Sequence, residues 1–224
     1  MIIKIITKLK EHTMSCCEHT EETELVPTIQ VGKEVPAFTI NAYNPVNFNF
    51  EEVSLESLRA AKKWVVLFFY PADFTFVCPT ELADLADQYE KLQGMGVEVI
   101  SMSTDTKFAH MAWRNSEQLL ANVKYKMGED PTGDVARHFG IYDEDTGLAH
   151  RGTFIISPAG KLVGSEINFD NVGRNAKELV RKLEANVYLA DHPGEVCPAK
   201  WEQGAKTLTP SADIVGNVFG ALNK

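Results

Sequence analysis

The spacing of apolar and polar positions divides the chain into strands and helices. Residues 64–70 (Trp-Val-Val-Leu-Phe-Phe-Tyr) are an unbroken apolar run rich in β-branched and aromatic side chains. Such a run predicts a fully buried strand, ended here by Pro71. From Pro79 the period changes: Leu82, Leu85, Ala86, Tyr89 and Leu92 recur at helical spacing, and Gly94 and Gly96 supply the stop. Proline is favoured in a first helical turn, so this predicts one helix opening at Pro79. Val97–Ser103 alternates as a strand, and Lys107–Leu120 reads as a helix carrying Phe108 and Trp113, both expected in a core or an interface. Thr153–Ser157 and Lys161–Asn168 flank Pro158-Ala159-Gly160, the pattern of a hairpin. Ala176, Leu179, Val180, Leu183 and Val187 mark a last long helix.

The order β-α-β-α-β-β-α predicts an α/β fold with a central mixed sheet flanked by helices. That domain is expected over residues 31–190. Pro193, Gly194, Pro198 and Pro210 argue for an irregular C-terminal tail over 191–224. Residues 1–30 read as a flexible extension: Met1–Lys10 is basic and apolar, Glu11–Glu24 is polar and acidic, and Met14 offers a second start. No internal repeat interrupts the scheme.

Composition narrows the function. The chain has 224 residues, 44% hydrophobic and 24% charged, ordinary for one globular domain with extensions. Its 31 acidic residues against 22 basic ones give a net charge of -9, which disfavours nucleic acid and anionic lipid as partners. The longest strongly apolar run is far short of the ~20 residues that span a bilayer, so no membrane role is expected. Four cysteines are too few for a secreted disulfide scaffold. The N-terminus lacks a continuous apolar signal core, so a reducing, cytoplasmic setting is expected, where cysteine is more often redox-active than structural.

The densest chemical signal is Pro71-Ala72-Asp73-Phe74-Thr75-Phe76-Val77-Cys78-Pro79-Thr80-Glu81, between the buried strand and the helix start. A thiol there meets unpaired backbone N–H groups and the positive end of the helix dipole, and both favour thiolate. Making an ordinary thiol mostly ionised at neutral pH needs about 2.7 kcal/mol, and a helix end supplies roughly 0.3–1, up to ~2. A cation or a further donor must come from elsewhere in the fold. On placement alone Cys78 reads equally well as a buried small hydrophobe, Thr75 as a helix cap and Pro71 as a strand stop.

Pro71, Thr75 and Cys78 match the Pro-x-x-x-Thr-x-x-Cys signature of peroxiredoxins. The likeness continues through His110-Met111-Ala112-Trp113, Asp130-Pro131-Thr132-Gly133 and Arg151-Gly152-Thr153-Phe154. It ends in His192-Pro193-Gly194-Glu195-Val196-Cys197-Pro198-Ala199-Lys200-Trp201. Over roughly Val31 to Val218 the chain resembles a typical 2-Cys peroxiredoxin of the bacterial alkyl hydroperoxide reductase type, with the thioredoxin-like fold that the element order also fits. The resemblance implies a thiol peroxidase acting on hydrogen peroxide and organic hydroperoxides. It makes Cys78 the peroxidatic thiolate, with Thr75 holding the peroxide, Arg151 lowering the thiol pKa and polarising the O–O bond, Pro71 shielding the pocket and Glu81 orienting Arg151. It makes Cys197 the resolving cysteine of a second subunit, forming an intersubunit disulfide in a homodimer that assembles to a decamer. The implied reductant is a flavin-dependent reductase partner, a thioredoxin or a similar thiol carrier. No cofactor is implied.

The remaining signals are weaker. His12, Cys16, Cys17 and His19 lack zinc-ligand spacing, so no metal is expected. No nucleotide-binding glycine motif occurs, and the missing C-x-x-C argues against an ordinary disulfide oxidoreductase. A redox-regulated holdase chaperone is the rival reading, as reported for assembled relatives. Overoxidation-sensitive eukaryotic relatives carry Gly-Gly-Leu-Gly and a C-terminal Tyr-Phe pair, and this chain has neither Gly-Gly nor Tyr-Phe. The comparison implies an enzyme that resists conversion to sulfinic acid.

Overall fold

The apolar run at residues 64–69 is the middle of the molecule. In the computed structural model, which describes residues 28–223, it forms β3 (Trp64–Phe69), buried at every position. Strand geometry sends successive side chains to opposite faces. Trp64, Val66 and Phe68 therefore enter one core with Leu82, Leu85, Leu179 and Leu183. Val65, Leu67 and Phe69 enter a second core with Val135, Phe139 and Phe154. Burial on both sides is why the run does not alternate.

Around β3 lies a seven-stranded sheet in the order β2-β1-β5-β4-β3-β8-β9. The other strands are β1 (Thr39–Asn44), β2 (Asn49–Ser54), β4 (Val97–Ser103), β5 (Lys126–Glu129), β8 (Arg151–Ile156) and β9 (Leu162–Asn168). β3, β4 and β5 run parallel, and the remaining pairs are antiparallel, so the sheet is mixed as expected. Parallel neighbours need crossovers. α2 (Cys78–Asp87) and α3 (Tyr89–Gly94) carry β3 to β4, and α4 (Lys107–Ser116) carries β4 towards β5. A short α1 (Leu55–Ala60), α5 (Asp134–His138), the hairpin β6 (Tyr142–Asp143) and β7 (Leu148–Ala149), and the long α6 (Ala176–Asp191) complete the body. Among the described residues no helix is long and apolar enough to cross a membrane.

Two elements depart from the periodicity. The helix expected from Pro79 through Leu92 is two helices broken at Gln88, whose N–H reaches back to Leu85 O at 3.2 Å. Tyr89 and Leu92 still face the core, Tyr89 edge-on to Tyr125 at 5.5 Å, so the apolar stripe runs through the break unaltered. The helix expected over Lys107–Leu120 ends at Ser116. Glu117 turns extended and its carboxylate accepts from Leu119 N–H, opening a 3-10 turn over Gln118–Asn122 that still buries Leu120. Trp113 is core, whereas Phe108 is exposed with its ring edge-on to Phe50.

The hairpin turns at Gly160 (φ +82°), where Gly160 N–H meets Ser157 O. Ile29 N–H donates to His138 O at 3.0 Å. Beyond α6 the chain is irregular apart from a 3-10 turn (Ala212–Ile214) and the five-residue α7 (Val218–Leu222). Met14 and the His12, Cys16, Cys17 and His19 group lie outside the described residues.

Candidate active site

Between β3 and α2 the chain runs over the C-terminal end of the sheet, where parallel strands present their loops. Pro71 is buried and Thr75 half-buried on this loop. Cys78 is the first residue of α2 and is buried. The helix is not capped by Thr75. Its N-cap is Val77, without a side-chain hydrogen bond, and the Thr75 hydroxyl donates to Ala72 O at 2.8 Å. The first turn of α2 therefore leaves donors unused by any cap.

The cation that the helix end required comes from β8. Arg151 Nη1 donates to Cys78 Sγ at 3.3 Å and also to Glu81 Oε2, while its Nε donates to Asp170 O at 2.8 Å. Glu81, three residues along α2, lies one turn from Cys78. Gly152 lets Arg151 sit this deep: a Cβ there would lie 2.7 Å from the Phe154 ring and 2.9 Å from Ile141. Burial opposes the Arg151 charge, but Cys78 and Glu81 outweigh it and raise its pKa.

Arg174, just before α6, completes the site and is absent from the sequence-based expectations. Its backbone N–H and Nε both donate to Glu81 Oε1 at 2.8 Å, Nη2 reaches Oε2 at 3.2 Å, and Nη1 donates to Thr153 Oγ1 at 3.0 Å. The guanidinium lies over the Phe68 ring, 3.5 Å from its centroid. Burial is the largest influence on its pKa and lowers it, with Glu81 opposing. The signal that pointed to such a residue was Glu81 itself. A carboxylate on the apolar face of α2 can accept about four hydrogen bonds, more than Arg151 alone fills.

The charge balance is the informative feature. Two guanidiniums, nearly closed to solvent, share one carboxylate. A buried charge without a partner is strongly disfavoured. The sulfur of Cys78, on the same Arg151 nitrogen, is the group positioned to carry the balancing negative charge.

Cys197 sits elsewhere, and neither it nor Cys78 is in a disulfide. It lies on the tail beside the bridge that pairs Val196 with Leu208. Trp201, buried against Tyr188, donates Nε1–H to Ala205 O, and Arg181 Nη1 donates to Trp201 O, which fastens the tail to α6. Burial and the neighbouring Glu195 carboxylate raise the Cys197 pKa, with Arg181 opposing. Pro71, Thr75, Glu81, Cys78 and Arg151 thus share one end of the sheet, and Cys197 stays on the tail.

Two further matching motifs have other duties. Asp130 caps α5 by accepting from Val135 and Ala136 N–H groups, and Gly133 (φ +71°) makes room for the Tyr142 ring. His110 and Trp113 are buried beneath the Cys78 loop. Among the described residues no group of three or more His, Cys, Asp or Glu side chains could hold a metal.

Comparison with known proteins agrees with this geometry. The AhpC/TSA family matches residues 31–165, and the C-terminal domain of 1-Cys peroxiredoxin matches residues 189–220, a segment that here contains Cys197. Alkyl hydroperoxide reductase C of Staphylococcus aureus is 51% identical over 188 residues, 84% of this chain and 98% of that protein. The same-named protein of Staphylococcus saprophyticus is 50% identical over equal shares. Among solved structures, Enterococcus faecalis AhpC superposes with a TM-score of 0.71 at 44% identity, covering 76% of this chain and all of that one. Reduced Plasmodium vivax 2-Cys peroxiredoxin superposes at 0.78 with 31% identity, covering 85% of this chain and all of that one. With a family model matching residues 31–165 and 51% identity over 188 residues to the Staphylococcus aureus protein, the chain belongs to the AhpC/TSA family of peroxiredoxins.

Proposed function

We propose that this chain is a thiol-dependent peroxidase that reduces hydrogen peroxide and organic hydroperoxides through Cys78. The observation that carries this reading is the Arg151 N–H on Cys78 Sγ at 3.3 Å, in a buried group where two guanidiniums share one carboxylate. The Cys78 thiolate attacks the terminal peroxide oxygen. The S–O bond forms as O–O breaks, sulfur loses two electrons, and the departing hydroxide or alkoxide takes up a proton. Arg151 faces the charge on both the attacking sulfur and the leaving oxygen, the kind of preorganised stabilisation that lowers such barriers. Thr75 holds the peroxide: its hydroxyl hydrogen goes to Ala72 O, leaving its lone pairs for an incoming O–H.

The cycle closes when Cys197 of a second subunit condenses with the Cys78 sulfenic acid, releasing water and forming an intersubunit disulfide. A disulfide needs Cα atoms within about 7 Å. Cys78 is buried in a helix, so the first turn of α2 unwinds in each cycle, helped by the lack of a side-chain cap at Val77. A dithiol carried by a flavin-dependent reductase, a thioredoxin or a similar protein then returns two electrons and two protons. The working form is a homodimer able to assemble into a decamer, in a reducing compartment such as the cytoplasm.

The test is one equivalent of hydrogen peroxide added to reduced chain, followed by non-reducing electrophoresis and a peroxide-consumption assay. Wild type gives a covalent dimer and consumes peroxide with a thiol donor. Cys197→Ser still forms sulfenic acid but no dimer, and Cys78→Ser does neither. A wild-type chain that leaves peroxide unconsumed overturns the reading.

A further inference from the structure

Phe74 lies four residues before Cys78 with φ +55°. A bulky aromatic residue in the left-handed region is a genuine outlier and persists only where its surroundings hold it there. Its ring, 60% exposed, lies 6.1 Å from that of Trp113. One tilted aromatic contact on an exposed ring is a weak hold for such a backbone. The preceding residue is held far more firmly.

Asp73 is buried and every polar direction around it is occupied. Tyr70 donates its hydroxyl to Oδ1 at 2.7 Å, His110 Nδ1 meets Oδ2 at 2.8 Å, and Asp73 N–H donates to Asp105 Oδ2 at 2.8 Å. Asp105 accepts from the Ser103 hydroxyl as well. The second ring nitrogen of His110 faces Gly128 O at 3.1 Å. Both ring nitrogens are thus engaged, which fixes the plane of the ring. Tyr70 stays a donor, since burial and then Asp73 hold its pKa well above the ordinary value. Asp73 therefore ties the loop through its side chain to Tyr70 at the end of β3 and to His110 of α4, and through its N–H to Asp105 just after β4. His110 carries the link on to β5. None of these groups hydrogen-bonds to Cys78, Glu81, Arg151 or Arg174.

We propose that Asp73, clamped by Tyr70 and His110, is a positioning residue that holds Phe74 in its left-handed conformation and so sets Thr75 for peroxide above Cys78. The inference rests on the peroxidase reading. The chain from cause to effect is short: Asp73 fixes the peptide entering Phe74, and Phe74 fixes the peptide entering Thr75. The Thr75 hydroxyl closes the turn on Ala72 O. Without the clamp Phe74 returns to negative φ and the hydroxyl turns away, while the charged group around the sulfur stays intact.

That separation makes the proposal testable on the full chain with two probes of Cys78. Stopped-flow oxidation by hydrogen peroxide requires an oriented substrate, whereas alkylation by iodoacetamide follows the thiolate alone. Asp73→Asn and His110→Asn are expected to slow oxidation at least tenfold and to leave the alkylation rate and its pH midpoint unchanged. Tyr70→Phe, which removes one donor, should show a smaller loss of the same kind and serves if either of the others fails to fold. Glycine accepts positive φ without strain, so Phe74→Gly added to Asp73→Asn should recover at least threefold of the lost rate. Peroxide rates within twofold of wild type, alkylation falling in parallel with oxidation, or no recovery in the double variant would each overturn the proposal. A wild-type chain inert to peroxide would instead remove the peroxidase reading, and this inference with it.

Discussion

The two cysteines occupy opposite kinds of surroundings. Cys78 is sealed in the body, next to a guanidinium that is itself fixed by a backbone carbonyl and by a carboxylate that a second arginine holds from its other side. Cys197 lies on a partly exposed tail, held by a two-strand bridge, one buried tryptophan and a few polar bonds. The first environment sets an arginine N–H on the sulfur. The second, through burial and the nearby Glu195, raises the pKa of its thiol. In the proposed cycle a peroxide meets Cys78 first, and Cys197 becomes useful only after that sulfur has changed oxidation state. That proposal puts rigidity where the O–O bond breaks and looseness where two chains meet.

Substitutions at each end should expose that division. The largest effect belongs to Arg151: replacing it with Ala should lower the rate of Cys78 oxidation by about 10²–10³, the loss typical of removing a preorganised donor from a developing charge. Stopped-flow fluorescence with hydrogen peroxide reads it. Glu81→Gln leaves two buried guanidiniums without their carboxylate and should cost about 3–5 kcal/mol of stability, read from urea unfolding of the reduced protein. Trp201→Ala should barely move that unfolding midpoint yet sharply increase proteolytic cleavage after residue 191, because the tail has lost its anchor rather than the body its core. The smallest effect is at Glu195. Its charge raises the Cys197 pKa, so Glu195→Gln should move the inflection of Cys197 alkylation to lower pH. Quantitative mass spectrometry across pH 7–10, a range chosen around the ordinary thiol value of about 8.5, measures that shift. An unchanged inflection would mean the tail thiol does not sense that carboxylate.

Legibility in the sequence followed burial. β3, β4 and α6 were readable because each presents an apolar face over six residues or more, and the β8–β9 hairpin because Pro158-Ala159-Gly160 marks its turn. β2 and β5 were not. Asn-Phe-Glu-Glu-Val-Ser sits at the sheet edge with only Val53 fully buried, and Lys-Met-Gly-Glu is four residues long and is defined by the strands on either side of it. The breaks at Gln88 and Glu117 escaped because tertiary packing keeps the same residues inward on either side of a bend. Of the site, Cys78, Arg151 and Glu81 were legible through family motifs, and the structure brings them into contact. Arg174 was not, since its partners are 93 and 21 residues away in sequence and no local pattern marks it. The Asp73–His110 pair, 37 residues apart, was hidden for the same reason.

The flat seating of Arg174 on Phe68 erases the usual border between scaffold and chemistry. Phe68 is a hydrocarbon ring in the innermost strand, with nothing to offer a peroxide. Yet it is the floor on which the outer arginine rests. Swapping that ring for an aliphatic of similar bulk would leave the interior oily and filled, and would still reach the sulfur by way of Arg174, Glu81 and Arg151.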